Sequence, residues 1–376
     1  MFDFNAFLEM PPYGLDRVAK GKALTEALKD LSAYHIAHCE PYARMMRAVG
    51  FDLAACTSYE QIPFLPVSLF KDLELRSVPP EEVFKTLTSS GTTGQAVSKI
   101  YLNREAAAKQ QKTLVKIVSA FTGAARLPML IVDSPSVIKN RAMFSARGAG
   151  ILGFSIFGAD RTYALDDDMK LDLPAIQAFL ARHAGQKILL FGFTFMVWQH
   201  FYKELLRLQS NSRTTEQSNN SPRIDLSNGI LIHGGGWKKL ISEAVSPAEF
   251  QQRLTDVCGL HDVHDYYGMV EQTGCVYMQC ECGHLHASIF SDVLFRRPND
   301  FSLAEKGETG IIQVVSVLPD SYPGHSLLTE DEGVLLGEDD CPCGRLGKYF
   351  KIIGRLKNAE IRGCSDTYAA GFKVKG

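Results

Sequence analysis

Apolar residues recur along the chain with two different periods. Between Gly21 and Ala48 they fall at mixed three- and four-residue spacing, which predicts a packed helix broken at Pro41. The segment Ile62–Lys71, IPFLPVSLFK, sets two prolines among apolar residues and reads as an extended stretch lying on a core. Asn103 is placed to cap a helix through EAAAKQQKTLVKIVSAF, with Gly123 just beyond its end. Short apolar runs bounded by turn residues follow: MLIVD (129–133), KILLFGF (187–193), GILIH (229–233) and IIQVVSV (311–317). Each reads as a buried strand, and segments such as LPAIQAFLARHA read as helices between the earlier ones. This alternation predicts an α/β fold with a parallel sheet covered on both faces. QSNSRTTEQSNNSP (209–222) is polar and reads as a loop. After about residue 275 the chain is richer in Gly, Cys and short strands, which predicts a smaller β-rich subdomain.

Composition narrows the function. A chain of 376 residues suits two or three compact units. Lys+Arg number 40 and Asp+Glu 42, a formal charge of −2, which argues against a protein that grips nucleic acid through phosphates. No run of 18 apolar residues occurs, so no membrane span is expected. The opening MFDFNAFLEMPPYG has no basic segment followed by an apolar one, so no signal peptide is expected. A cytoplasmic, reducing location follows, in which the nine cysteines point to metal or catalysis before disulfides.

TSSGTTG (Thr88–Gly94) is the sharpest local feature. A loop of Gly, Ser and Thr packs poorly but can wrap phosphates with backbone N–H groups and hydroxyls. It is not a Walker A loop, because no Gly-Lys-Ser/Thr ending is present and Lys99 lies beyond Gly94. HGGGWKK (His233–Lys239), DYYGMVEQTG (Asp265–Gly274), LLTEDEG (Leu327–Gly333) and IIGRLKNAEIRG (Ile352–Gly363) follow in order. This series resembles the adenylate-forming superfamily of acyl-CoA synthetases and phenylacetate-CoA ligases. Within it, IPFLPVSLFK, SSGTTG, the GGGWK block and the C-terminal RGC are similar to the LuxE-type acyl-protein synthetases. The resemblance runs from about Ile62 to the end of the chain.

The resemblance implies an adenylate-forming N-terminal domain, parallel sheets flanked by helices plus a small β-rich subdomain. It implies the joining of a carboxylate to the α-phosphate of ATP, then acyl transfer to a thiol. Ser89, Ser90, Gly91, Thr92, Thr93 and Gly94 match the loop that holds the β- and γ-phosphates. Gly234, Gly235 and Gly236 match the glycine block beside the adenine and the acyl pocket, where a side chain would obstruct close approach. Tyr267 and Gly268 match the motif lying against the nucleotide, and its Glu271 matches the Mg²⁺ ligand. Asp331 matches the acceptor of ribose hydroxyls, and Arg355 the guanidinium near ribose and phosphates. In-line attack on phosphorus needs positioning and charge neutralisation more than covalent help, which is what such a set supplies.

The chain also departs from the superfamily. Asn358 stands where a hinge aspartate is usual, and about a dozen residues follow Gly363, so the mobile C-terminal domain is expected to be largely absent. The adenylation lysine is then unassigned. Lys373, Lys375, Lys99 or a partner protein are the alternatives. The expected segmentation is a helical 1–80, a nucleotide- and acyl-binding 81–275, a β-rich 276–353 and a tail 354–376.

Cys280 and Cys282 in QCECGHLH, with Cys341 and Cys343 in CPCG, form two C-x-C pairs that could build a structural S₄ zinc site. His284 and His286 stand in reserve if one thiolate is not used, and buried unliganded thiols are the alternative. Cys364 is isolated in GCSDTYAAG and matches the cysteine that holds the acyl group as a thioester in LuxE-type proteins, with Arg362 near in sequence to favour a thiolate. Cys39, Cys56, Cys258 and Cys275 read as small core hydrophobes. Phe191, Phe193 and Phe195 alternate on one predicted strand end and share a face, so they line an acyl or aryl pocket or pack in the core; Phe193 is the pocket candidate, as is Trp237. His233, His261 and His264 read as structural or pocket-lining. The expectation is an ATP- and Mg²⁺-dependent ligase acting on a carboxylic acid, with an acyl-CoA-reductase-like or acyl carrier protein as partner. A CoA or carrier-protein ligase and an idle nucleotide-binding scaffold are the rival readings.

Overall fold

The computed structural model describes residues 2–89, 97–139, 146–213 and 224–356. They fold into two units, with breaks after Phe121 and after Tyr266. The first unit joins the N-terminal part of the chain to the part from Tyr267 onward; the second is Thr122–Tyr266.

In the first unit, Asp16 caps the helix Arg17–His38 by accepting the Ala19 N–H at 2.9 Å. The helix ends at Cys39, and Pro41 sits in the first turn of the next helix, Glu40–Ala48, where its missing N–H costs nothing. Strand β1 (Leu65–Pro66) lies within the extended proline segment, and β2 (Lys85–Thr88) pairs antiparallel with β3 (Lys99–Leu102). Asn103 accepts the Ala106 N–H at 2.8 Å and starts the helix Arg104–Thr122; Gly123 beyond it takes φ +82°.

The second unit is a parallel sheet of β4 (Leu127–Val132), β5 (Gly158–Tyr163), β6 (Ile188–Phe193), β7 (Gly229–Gly234) and β8 (Asp262–Tyr267), in the order β5-β4-β6-β7-β8. Helices Leu173–Arg182 and Pro247–Cys258 pack Phe179, Phe250 and Leu254 against Leu130, Leu190 and Leu231 on one face. The helix Ala146–Phe154 packs on the other, where Phe154 stacks on Phe191 at 4.4 Å. Burial on both faces explains why the inner strands β4, β6 and β7 read as apolar runs.

The chain then returns to the first unit as β9 (Tyr277–Gln279), β10 (Leu285–His286), β11 (Ser291–Arg296), β12 (Thr309–Ser316), β13 (Ser326–Glu338) and β14 (Lys348–Arg355). The order is β11-β12-β13-β14-β10-β9, antiparallel throughout, with β1 added to β13 in parallel at Leu65↔Leu327. A buried ionic cluster fastens the early helix to this sheet. Asp292 on β11 meets Lys20 Nζ at 3.2 Å and Lys348 Nζ at 3.0 Å, and accepts the Tyr59 hydroxyl.

Several expectations are corrected. IIQVVSV is a strand of the antiparallel sheet, not of the parallel one. Residues 209–213 continue the helix Lys203–Arg213. Phe195 does not share a strand face with Phe193, because the chain turns helical at Thr194. By contact the chain divides after residues 121 and 266. Cys39, Cys56, Cys258 and Cys275 are buried as expected. No helix among the described residues is long and apolar enough to cross a membrane.

Candidate functional site

In the first unit, β13 and β14 place Asp331 directly opposite Arg355. Arg355 Nε lies 3.5 Å from Asp331 Oδ1, while the Tyr267 hydroxyl donates to Asp331 Oδ2 at 2.7 Å. Burial, and then the neighbouring Asp331 charge, push the Tyr267 phenol well above its ordinary range, so it remains a neutral donor. Its ring rests near Tyr277 and Phe350, which fixes where the hydroxyl points. Three residues named separately by motif therefore meet at one carboxylate.

Glu271 is buried on the single turn Val270–Gln272. Its carbonyl accepts the Tyr322 hydroxyl at 2.8 Å, and the neighbouring Gln272 side chain donates to the Gly324 carbonyl at 2.8 Å. Gly274, at φ +93°, has the Gln110 backbone 2.6 Å from where a Cβ would stand, so the turn after Glu271 admits only glycine. Gly268 is exposed between Tyr267 and this turn. Ser89 extends the β2–β3 pairing, with its N–H on the Ser98 carbonyl at 3.2 Å. Ser90, Gly91, Thr92, Thr93, Gly94 and Cys364 lie outside the described residues.

In the second unit the strand order reverses between β4 and β6, the topology at which open α/β sheets bind ligands beyond their carboxyl ends. Phe193 closes β6 there. Its ring stands where two glycines leave room: a Cβ on Gly150 would come within 2.9 Å of Cζ, and one on Gly235 within 2.7 Å of Cδ1. Gly235 and Gly236 take φ +84° and +67°, and a Cβ on Gly234 would strike the Tyr266 ring at 2.7 Å. Trp237 packs instead on Trp198 and Phe250, in the cluster on the opposite sheet face. The two pocket candidates are therefore not brought together.

The sequence reading missed one pair at this switch point. Asp133, directly after β4, is buried against Arg147, Oδ2 to Nε 3.0 Å. Burial pushes the Asp133 carboxyl up to about 6, against the pull of Arg147. The acid ending the apolar run MLIVD was the available signal. His233 is buried beside Thr194, Nδ1 to Oγ1 3.0 Å, and burial lowers it to about 3, so it is a neutral structural group. His264 is buried beside Asp262, and His261 is exposed.

The cysteine pairs converge in the first unit with one substitution. One donor atom from each of Cys280, His286, Cys341 and Cys343 lies within 4.8 Å of all the others. Cys282 is exposed and stands outside this group, because the C-x-C turn directs it to solvent; His286 on β10 takes its place. The S₄ set is corrected accordingly.

The family model described as "Acyl-protein synthetase, LuxE" matches residues 5–373. The long-chain-fatty-acid–luciferin-component ligase of Vibrio harveyi is 23% identical over 366 residues, covering 94% of this chain and 89% of that protein. Its namesake from Aliivibrio fischeri is 22% identical over 317 residues, covering 81% and 77%. A crystal structure of 2-hydroxyisobutyryl-CoA ligase in the postadenylation state superposes with a TM-score of 0.65 at 15% identity, covering 91% of this chain and 69% of that one. An open conformation of that ligase gives a TM-score of 0.63 at 15% identity, covering 92% and 71%. The architecture is thus that of the adenylate-forming ligases, and the chain belongs to the LuxE family of acyl-protein synthetases.

Proposed function

We propose that this acyl-protein synthetase activates a fatty acid and carries the acyl group on Cys364. As an adenylate-forming ligase it first makes an acyl adenylate. A carboxylate oxygen attacks the α-phosphorus of ATP, and the bond to the bridging oxygen breaks with release of pyrophosphate. The Cys364 thiolate, its proton lost to solvent, then attacks the acyl carbon. The carbon–oxygen bond to AMP breaks, AMP leaves with the electron pair, and a thioester remains. The fatty acid is taken from the names of the two bacterial relatives, and the thiol from the family resemblance of the Gly-Cys setting. Delivery to an acyl-CoA-reductase-like or acyl carrier protein partner, in the cytoplasm, completes the reading.

The observation that carries it is the meeting of Tyr267, Asp331 and Arg355. A carboxylate held by a phenol and a guanidinium is a ready acceptor for a pair of ribose hydroxyls, while the guanidinium remains beside it for phosphate oxygens. Glu271 is the residue we assign to Mg²⁺, a cation that takes one or two carboxylates and leaves its other positions to phosphate and water. Bound there, Mg²⁺ would neutralise phosphate charge as pyrophosphate departs. Ser89–Gly94 and the glycines Gly234–Gly236 complete the proposed nucleotide set, and Phe193 is assigned to the acid. Zinc is the proposed second metal.

The test is carboxylate-dependent ATP–pyrophosphate exchange across fatty, aryl and short hydroxy acids, with Cys364→Ser alongside. Exchange with fatty acids, retained in Cys364→Ser while hydroxylamine-sensitive acyl labelling is lost, supports the reading. Exchange confined to another acid class overturns the fatty acid. Labelling that survives in Cys364→Ser overturns the acyl carrier. Thioester formed only on added CoA returns the protein to the CoA ligases.

A further inference from the structure

The four-residue cluster at the β13–β14 turn does not belong to the nucleotide residues, yet its distances are those of a coordination shell. Around a tetrahedral zinc, sulfurs at 2.3 Å stand about 3.8 Å apart, and a sulfur and an imidazole nitrogen about 3.6 Å apart. Cys280 Sγ and Cys341 Sγ are 4.0 Å apart, and His286 Nε2 is 3.4 Å from Cys343 Sγ. All four donors fall within 4.8 Å of one another. His284 approaches Cys341 Sγ at 3.4 Å through Nδ1 from outside the four. Three soft thiolates and one imidazole select zinc over the hard cations, and four protein ligands leave no position for substrate.

The place of the cluster in the sheet gives it a task. Cys280 follows β9, His286 lies on β10, and Cys341 and Cys343 lie in the turn from β13 to β14. β10 meets β14 through two residue pairs, Leu285↔Phe350 and His286↔Tyr349, and one further bond from the Ala287 N–H to the Lys348 carbonyl at 3.0 Å. So short a pairing is a weak joint unless something else holds it. That joint flanks Phe350 on one side, with Leu335 of β13 opposite it on the other, and the Phe350 ring borders Tyr277 at 5.4 Å and Tyr267 at 6.4 Å. Tyr267 in turn donates to Asp331.

We infer that Cys280, His286, Cys341 and Cys343 bind one structural zinc, which clamps β10 to β14 and so holds Tyr267 on Asp331. The clamp half of this inference rests on the nucleotide role proposed above; the metal half does not. Zinc acts here on ATP affinity, not on the chemical step.

Metal analysis of the purified protein tests the site directly, with about one zinc per chain expected. Cys282→Ser keeps full zinc, His286→Cys keeps it as a four-thiolate site, and His286→Ala or Cys343→Ser loses most of it. Absence of zinc, or equal loss in Cys282→Ser, overturns the site. Folding of the depleted variants is checked by circular dichroism, and His286→Cys tests the ligand position where an alanine variant fails to fold. For the clamp, zinc is withdrawn by chelation and KM for ATP and kcat are compared in pyrophosphate exchange. A several-fold rise in KM at nearly constant kcat, reversed by added zinc, is expected. Unchanged KM in folded zinc-free protein, or a fall in kcat alone, overturns the clamp and leaves the site standing. Wild-type protein that binds zinc but exchanges with no acid overturns the nucleotide reading and not the metal.

Discussion

The Tyr267 hydroxyl and the Asp331 carboxylate are joined by a 2.7 Å hydrogen bond, while Arg355 holds the other oxygen of the same carboxylate. A nucleotide that engages Asp331 meets an acceptor already oriented from both sides. Replacing Asp331 with Ala removes a charged acceptor worth about 1.5–3 kcal/mol, roughly 10- to 150-fold in kcat/KM for ATP. Tyr267→Phe leaves the Arg355 contact and costs less. Steady-state exchange kinetics at varied ATP give the ranking, and equal losses in both variants would contradict it.

Phe193 fills the space left by Gly150 and Gly235. Gly150→Ala puts a methyl group about where the ring edge now sits, so the ring must move and, in the proposed acid pocket, narrow the space. Phe193→Leu withdraws the ring edge and favours a bulkier acid. A methylene in an apolar pocket is worth about 1–3 kcal/mol of discrimination. The two variants should therefore shift the preferred acid in opposite directions. An unchanged preference in both would remove Phe193 from the pocket.

Asp292 is held down to about 2, because the attraction of Lys20 and Lys348 and the Tyr59 hydrogen bond outweigh burial, which alone would raise it. A depressed carboxyl stabilises the fold above its unfolded value of 3.8, and that contribution fades as pH falls towards 2. Asp292→Asn leaves two buried lysines with no countercharge at that position and should cost about 3–5 kcal/mol. Denaturant unfolding at neutral pH measures it, and a change below 1 kcal/mol, on the order of an exposed ion pair, would refute it.

His35 and His325 are buried and stacked at 5.0 Å. Burial lowers His35 to about 3 and His325 well below its ordinary value. The unfolded chain therefore binds protons below about pH 6.5 that the folded chain refuses. Stability is full above that pH and falls as acid is added, by up to about 1.4 kcal/mol per pH unit for each such histidine. Replacing His325 with Gln should flatten this slope between pH 6 and 4. A slope as steep as in the parent would place the acid sensitivity elsewhere.

The helices and parallel strands were legible because their signals are local. Asn103 caps where it stands in the sequence, and the stretches 129–132 and 229–232 are apolar because both sheet faces are covered. Motif order singled out Tyr267, Asp331 and Arg355, but only the β13–β14 pairing sets Arg355 opposite Asp331, and only the fold brings the Tyr267 hydroxyl to the same carboxylate. His286 was named only as a reserve ligand, for a similar reason. The C-x-C spacing favours Cys282, and nothing local states that the turn points it to solvent while β10 turns His286 inward. Asp133 and Arg147 were missed because an ion pair between a strand end and a later helix has no periodicity.

The discontinuity of the first unit has a consequence for synthesis. Among the described residues the second unit is contiguous, and its parallel sheet can close once Tyr266 has left the ribosome. The first cannot. β1 waits for β13, and Lys20 waits for Asp292 and Lys348. Until the last strands emerge, the helix Arg17–His38 holds its apolar side and an unmatched lysine in water. The nascent chain thus exposes its oldest segment longest, and a pause in translation after residue 266 would leave a folded insert flanked by an unfolded, aggregation-prone amino terminus.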